Sequence, residues 1–136
     1  MPSVDIAGIV HEALETHWGT AHPAWKVALH VDDNFRPAVG KPTLLVADDG
    51  SIPVNAGAWL VRKTMRRRTL RYTAFAKGRD EALAAVNDAV DHIITNRPAG
   101  LARIEDVSDP LVTRDRETGA FLASITMPVI VKPVTA

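Results

Sequence analysis

His11 and His17, in "HEALETH" (11–17), are the first residues whose types suggest chemistry. Zinc-dependent hydrolases hold their metal with two histidines on one helix, four positions apart on one face. Six positions turn a helix by about 600°, so these two rings do not converge on one ion. They are expected as surface histidines of a helix, and His22, His30 and His92 add no ligand spacing. Asp32–Asp33 and Asp48–Asp49 lack the ligand order of a calcium loop. They read as turn residues that hydrogen-bond their own backbone. Glu12, Glu15, Asp88 and Asp91 fall on the polar faces of two helical patterns, where solvation is the default. Trp18, Trp25 and Trp59 suit packing in a core or subunit contact better than base stacking. No phosphate loop, glycine fingerprint or nucleophile elbow occurs. The expectation is a protein with no catalytic residue, metal or cofactor.

The densest chemical feature is "RKTMRRRTLRYTAFAKG" (62–78), which packs Arg62, Lys63, Arg66, Arg67, Arg68 and Arg71 into ten positions. Three uses fit such a run. It can be a solvated strand face with arginines paired to local carboxylates. It can bind nucleic acid, which asks for one continuous basic surface helped by exposed aromatics or a groove-entering helix. It can also form a subunit interface, where the planar arginine fork pairs with carboxylates in fixed geometry. Its ten densest positions, 62–71, hold five arginines to one lysine, which favours the interface. The expected interface residues are Arg62, Arg66, Arg67, Arg68 and Arg71, matched by Glu105, Asp106, Asp115 and Glu117 of a neighbouring copy. On that view, reversing the charge of Arg66 and Arg68 weakens assembly and leaves the monomer folded.

The whole chain sets bounds on these readings. Its 136 residues amount to a single domain, expected to span 1–136. Sixteen basic residues balance sixteen acidic ones, so long-range attraction to DNA is weak. There is no cysteine, which excludes disulfides and thiolate chemistry. The start lacks the pattern of a signal peptide, and no apolar run approaches the ~18 residues of a membrane span. Assembly in a reducing cytoplasm fits this composition.

The elements that position the basic run follow from periodicity. Residues 3–18 read as an amphipathic helix with Ser3 as cap, Asp5 in the first turn and Gly19 as stop. Its apolar stripe is Ile6, Ile9, Val10, Ala13 and Leu14. "WKVALHVD" alternates as a strand, with Val27, Leu29 and Val31 on one side. "TLLVADDG" reads as a short strand ending in an Asp-Asp-Gly turn, with loops over 32–42 and 48–57. Residues 55–78 read as two extended runs. In the second, Leu70, Tyr72, Ala74 and Ala76 share one face, and Arg67, Thr69, Arg71 and Thr73 the other. "RDEALAAVNDAVDHIITN" is the clearest helix, with a stripe of Ala82, Leu83, Val86, Val90, Ile93 and Ile94. "ARIEDVSDPLVTRD" and "AFLASITMPVIVKP" read as the arms of a long C-terminal β-hairpin. The fold class is therefore α+β, an antiparallel or mixed sheet with two helices packed on one face. The other face would carry arginine, threonine and lysine, and is either solvated or used for assembly.

The segment "LRYTAFAKGRDEALAAVNDAVDHIITN", followed by a hairpin, resembles the tail terminator (tail completion) proteins of long-tailed, siphovirus-type bacteriophages. The opening is similar too, an N-terminal helix and then "PAWKVALHVD" leading into a first strand. The resemblance lies in element order and spacing over nearly the full chain. It implies a structural virion protein that forms a homohexameric ring at the head-proximal end of the tail tube. Such a ring ends tube polymerisation and offers the surface for head–tail joining. Its implied partners are copies of itself, the tail tube protein and a head-completion or connector protein. DNA passes through the lumen without specific binding, and no membrane is involved. The implied location is the top of the tail in the virion, after synthesis in the host cytoplasm. The family carries no catalytic residues. The alternatives are another head–tail connector (adaptor or stopper) and a small nucleic-acid-binding domain.

Overall fold

Asp5 opens the first helix, accepting a hydrogen bond at Oδ1 from the Gly8 backbone N–H at 3.0 Å. The computed structural model describes residues 5–29, 42–53, 66–116 and 119–131. Helix α1 runs Ile6–Ala21, so Asp5 is the cap itself, and the expected cap Ser3 lies outside the described residues. The helix passes through Gly19 and ends at His22, whose N–H bonds the Trp18 carbonyl. Ile6, Val10, Leu14 and Trp18 are buried, a stripe of strict 4-residue steps.

Strand β1 is Lys26–Ala28, β2 is Thr43–Pro53 and β3 is Arg66–Ala76. Helix α2 is Arg79–Thr95, and β4 (Leu101–Ile104), β5 (Leu111–Arg114) and β6 (Phe121–Val131) complete the set. The sheet order is β1-β2-β3-β6-β4, with β5 also on β6. β1 pairs parallel with β2, and the other pairings are antiparallel, so the sheet is mixed. The last strand along the chain is thus inserted between β3 and the β4–β5 edge. Among the described residues no helix is long and apolar enough to cross a membrane.

The alternation read from the sequence holds in β3 and β6. Leu70, Tyr72, Ala74 and Ala76 are buried, as are Ala123, Ile125, Met127, Val129 and Val131. They face the buried stripes of α1 and α2, so both helices lie on one side of the sheet. Each large aliphatic side chain buried there contributes about 1.5–3 kcal/mol. Ile94 departs from the expected stripe of α2. It is 48% exposed, while Ala85 and Ala89 are buried in its stead. One step of 100° separates it from buried Ile93, enough to carry it off the contact.

Three further segments differ from the sequence reading. β1 stops at Ala28, and Leu29 is 41% exposed; His30 and Val31 lie outside the described residues. The expected turn at Asp48–Asp49–Gly50 lies inside β2, which stays paired with β3 as far as Pro53 opposite Arg66. The register only shifts between Asp48 and Ser51, a bulge rather than a chain reversal. The first extended run, over 54–65, lies outside the described residues.

The C-terminal hairpin has a broken first arm. β5 pairs with residues 121–124 of β6 and β4 with 129–131, leaving a gap opposite Ile125–Pro128. Pro128 explains the gap. Its carbonyl accepts from Glu105 N–H at 2.8 Å, so its missing N–H would also have pointed to that edge. A ladder cannot run past a strand position that lacks a donor on that side. Ser108 fills in: its N–H bonds the Thr126 carbonyl, and its Oγ accepts from Thr126 N–H at 2.9 Å.

The core contains one polar contact of note. Tyr72 is fully buried, and its hydroxyl donates to Met127 Sδ at 3.4 Å. Burial pushes this phenol well above its ordinary value, so it stays neutral. A thioether is a weak acceptor. We expect Tyr72→Phe to change stability by less than about 1 kcal/mol. Met127→Leu strands the hydroxyl and should cost about 1–3 kcal/mol, most of it recovered in the Tyr72→Phe/Met127→Leu double variant. Urea unfolding of the four proteins measures the cycle. A double variant no better than Met127→Leu contradicts it.

Candidate functional site

The side of the sheet away from the helices is the surface that, on the sequence reading, is either solvated or used for assembly. Its register can be read row by row. Thr43, Phe75, Leu122 and Thr113 form one cross-strand row, and Leu45, Thr73, Ser124 and Leu111 the next. Ala47, Arg71 and Thr126 follow, then Thr69 and Pro128, then Arg67, Ile130 and Arg103. Lys26 and Ala28 extend the face onto β1. The surface is therefore divided: apolar and hydroxyl side chains at one end, guanidinium groups at the other. Thr73 and Ser124 hydroxyls bond each other at 3.3 Å, and Leu111 at the rim is 71% exposed.

The five interface arginines do not share this face. Arg67 is on it, half-buried, with Nε donating to Glu105 Oε1 at 2.6 Å and an Nη to Oε2 at 3.3 Å. This is a bidentate clamp across β6, joining β3 to the residue that follows β4. Arg71 is on the face and exposed. Arg68 points to the helix side, opposite buried Val129, with its side chain 11% exposed. Its Nη1 donates to Asp48 Oδ2 at 2.8 Å, which ties β3 to β2 just before the bulge. The side chain of Arg66 and the whole of Arg62 and Glu117 lie outside the described residues. Among the acids, Asp106 is exposed beside Glu105. Asp115 closes the turn into β6, its N–H bonding the Ala120 carbonyl and its carbonyl accepting from Gly119 N–H. Gly119 takes φ 75°, the left-handed conformation glycine tolerates.

The expected arginine–acid pairing between copies is thus met, for Arg67 with Glu105, within a single chain. The reason is topological. Insertion of β6 brings residues 38 positions apart onto one face, a distance that local reading does not span. Arg68 likewise acts inside the fold, so reversing its charge would act on the fold and not on a contact between copies.

A second cluster was treated in sequence as solvated, and it is not. Asp88 of α2 accepts from Trp18 Nε1–H at 2.6 Å and from His17 Nε2–H at 3.2 Å, both on α1. His22 Nε2 lies 3.7 Å from its other oxygen. His17 stacks on His92 with centroids 3.8 Å apart, and His22 stacks on Trp25 at 3.7 Å. Trp25 in turn meets Trp18 edge-on. His11 reaches the Val27 carbonyl at 3.1 Å and so fastens α1 to the edge strand β1. Among the described residues no group of three or more histidine or acidic side chains is placed to hold a metal ion. The cluster is a tie between α1, the turn after it and α2. No spacing rule finds it, because its partners sit on two helices about 70 residues apart.

This tie carries a pH dependence. Desolvation, and then the neighbouring His17, hold the His92 imidazole below its ordinary value of 6.5, against an opposing pull from Asp88. The unfolded chain is therefore the better proton binder at this position. Its neutral form favours folding above 6.5, and that contribution is lost as pH falls through 6.5 to the lower folded value. We expect the melting temperature to fall between about pH 7.5 and 5.5, and His92→Gln to flatten that slope. Parallel slopes in the two proteins contradict this assignment.

No protein-family model matches the sequence, and neither does any curated protein.

Proposed function

We propose that the chain is a structural assembly protein that forms a ring at the head-proximal end of a bacteriophage tail tube. The ring ends tube polymerisation and provides the surface for head–tail joining. Its partners are further copies of itself, the tail tube protein and a head-side connector, and DNA passes through the lumen without sequence-specific contact. It works in the virion, at the head–tail joint, and uses no catalytic residue.

One observation carries the reading. Both helices pack on one side of the sheet, and among the described residues no helix or strand covers the other. That side combines Leu45, Phe75, Leu122 and Leu111 with Arg67, Arg71 and Arg103, an arrangement suited to contact with protein. The element order supports it further: helix, strands, helix and a final hairpin are the order of the family the sequence resembles.

Electron microscopy of the purified protein mixed with tail tubes tests the proposal. Rings on one end of each tube, and tubes that no longer elongate when more tube protein is added, are expected. Bare tube ends and unaltered elongation reject it. Affinity for short DNA that falls steeply between about 50 and 200 mM salt, with no effect on tubes, would favour a nucleic-acid-binding domain instead.

A further inference from the structure

The chain is electrically neutral as a whole, but its charges are sorted between its two layers. On the outer surfaces of the helices, Glu12, Glu15, Asp80, Glu81 and Asp91 are exposed, against Arg79 alone. Asp88 is turned into the histidine cluster and is left out of this count. The open sheet face carries Lys26, Arg67, Arg71 and Arg103, against Glu105, which is already clamped to Arg67. Among the described residues, the outer surfaces of the helices are thus mainly acidic and the paired strand positions of the opposite face mainly basic. Each also offers apolar area: Ile94 at 48% exposure on the helix side, Leu111 at 71% with half-buried Leu45, Phe75 and Leu122 on the sheet side.

We propose that the open sheet face of one copy docks on the helix layer of the next, head to tail. This rests on the ring reading and specifies which surfaces make the ring. Pairing two sheet faces would set Arg71 and Arg103 against their own copies, and pairing two helix layers would set carboxylates together. Like charges across an interface suppress association. Only the sheet-to-helix pairing brings unlike charges together with apolar area on both sides. Such a contact is heterologous, because its two halves are different surfaces of the same molecule. Heterologous contacts build rings when the rotation between neighbours closes. The acids that meet the arginines are therefore those of the two helices, in place of the Glu105–Glu117 segment.

The test is a charge swap read by native mass spectrometry and light scattering at about 50 mM salt. Arg71→Glu/Arg103→Glu and, separately, Glu12→Lys/Asp91→Lys should each lower the assembled fraction by about tenfold or more. The chain carrying all four substitutions should assemble better than Arg71→Glu/Arg103→Glu alone, because neutralising the helix layer removes its repulsion from a sheet face made acidic. Double variants that assemble like the wild type overturn the sheet-to-helix contact and leave the ring reading standing. So does a fourfold variant that stays monomeric while keeping the wild-type melting temperature. A wild-type chain that stays monomeric, alone and with tail tubes, removes the ring reading and this contact with it. A salt series on the unmodified protein needs no variant to fold. Assembly should weaken between about 50 and 500 mM salt as the Debye length shortens, and salt-independent assembly counts against the proposal.

Discussion

Val90→Asp should abolish the folded state at ordinary temperature. Val90 is 4% exposed, on the buried stripe of α2 between Ala89 and Ile93. Among the described residues no charged one is buried, so a carboxylate there would be uncompensated. An unpaired buried charge costs about 3–5 kcal/mol, or is neutralised by protonation at comparable expense. For a domain at the low end of the usual range of about 5–15 kcal/mol, that removes essentially all of its stability. Loss of near-ultraviolet dichroism and of a cooperative thermal transition is the expected readout. Ile94→Asp, one position along, is the control. Its site faces solvent, so the fold should survive with a change within about 0.5 kcal/mol. If Ile94→Asp unfolds the chain and Val90→Asp does not, the rotational setting of α2 is wrong.

Trp18→Ala should be the next most damaging change. Trp18 is 1% exposed, one of the largest fully buried side chains, and also the donor to Asp88. Truncating a buried tryptophan costs about 3–5 kcal/mol. Trp18→Phe separates packing from polarity. It keeps most of the volume and removes the indole N–H, and it should cost about 1–2 kcal/mol. Chemical denaturation of both variants measures the difference. Equal losses would mean that the hydrogen bond, and not the packed ring, holds α1 to α2.

Much of the architecture was legible because it is written in short periods. Ala123, Ile125, Met127 and Val129 of β6 alternate with half-buried neighbours until Ile130, which is buried too, and α2 repeats its small apolar residues at helical spacing. Both patterns need no partner to be recognised. The features that escaped depend on distant partners. Asp48–Asp49–Gly50 has the composition of a turn, but β3 continues alongside it and Arg68 takes the Asp48 carboxylate. Pro128 sits in a run that otherwise reads as uninterrupted strand, and only the direction of its missing donor reveals where β4 must end. The spacing of His11 and His17 shows only that they do not meet each other. Their actual partners are the Val27 carbonyl and Asp88. Of the interface arginines, alternation placed Arg67 and Arg71 on the correct side. The same alternation places Arg68 on the helix side, and its charge alone gave no sign of that.

The position of β6 has a consequence for how the molecule comes into being. β6 is an interior strand and the last of the described strands to be made, and both of its edges must find partners made earlier. Until then β3 has a bare edge, and the α2 stripe has only part of its floor. Nascent chains with open strand edges invite pairing with one another. Translation therefore sets an interval, from the emergence of β3 to that of residue 131, in which the half-made sheet is exposed to other copies of itself.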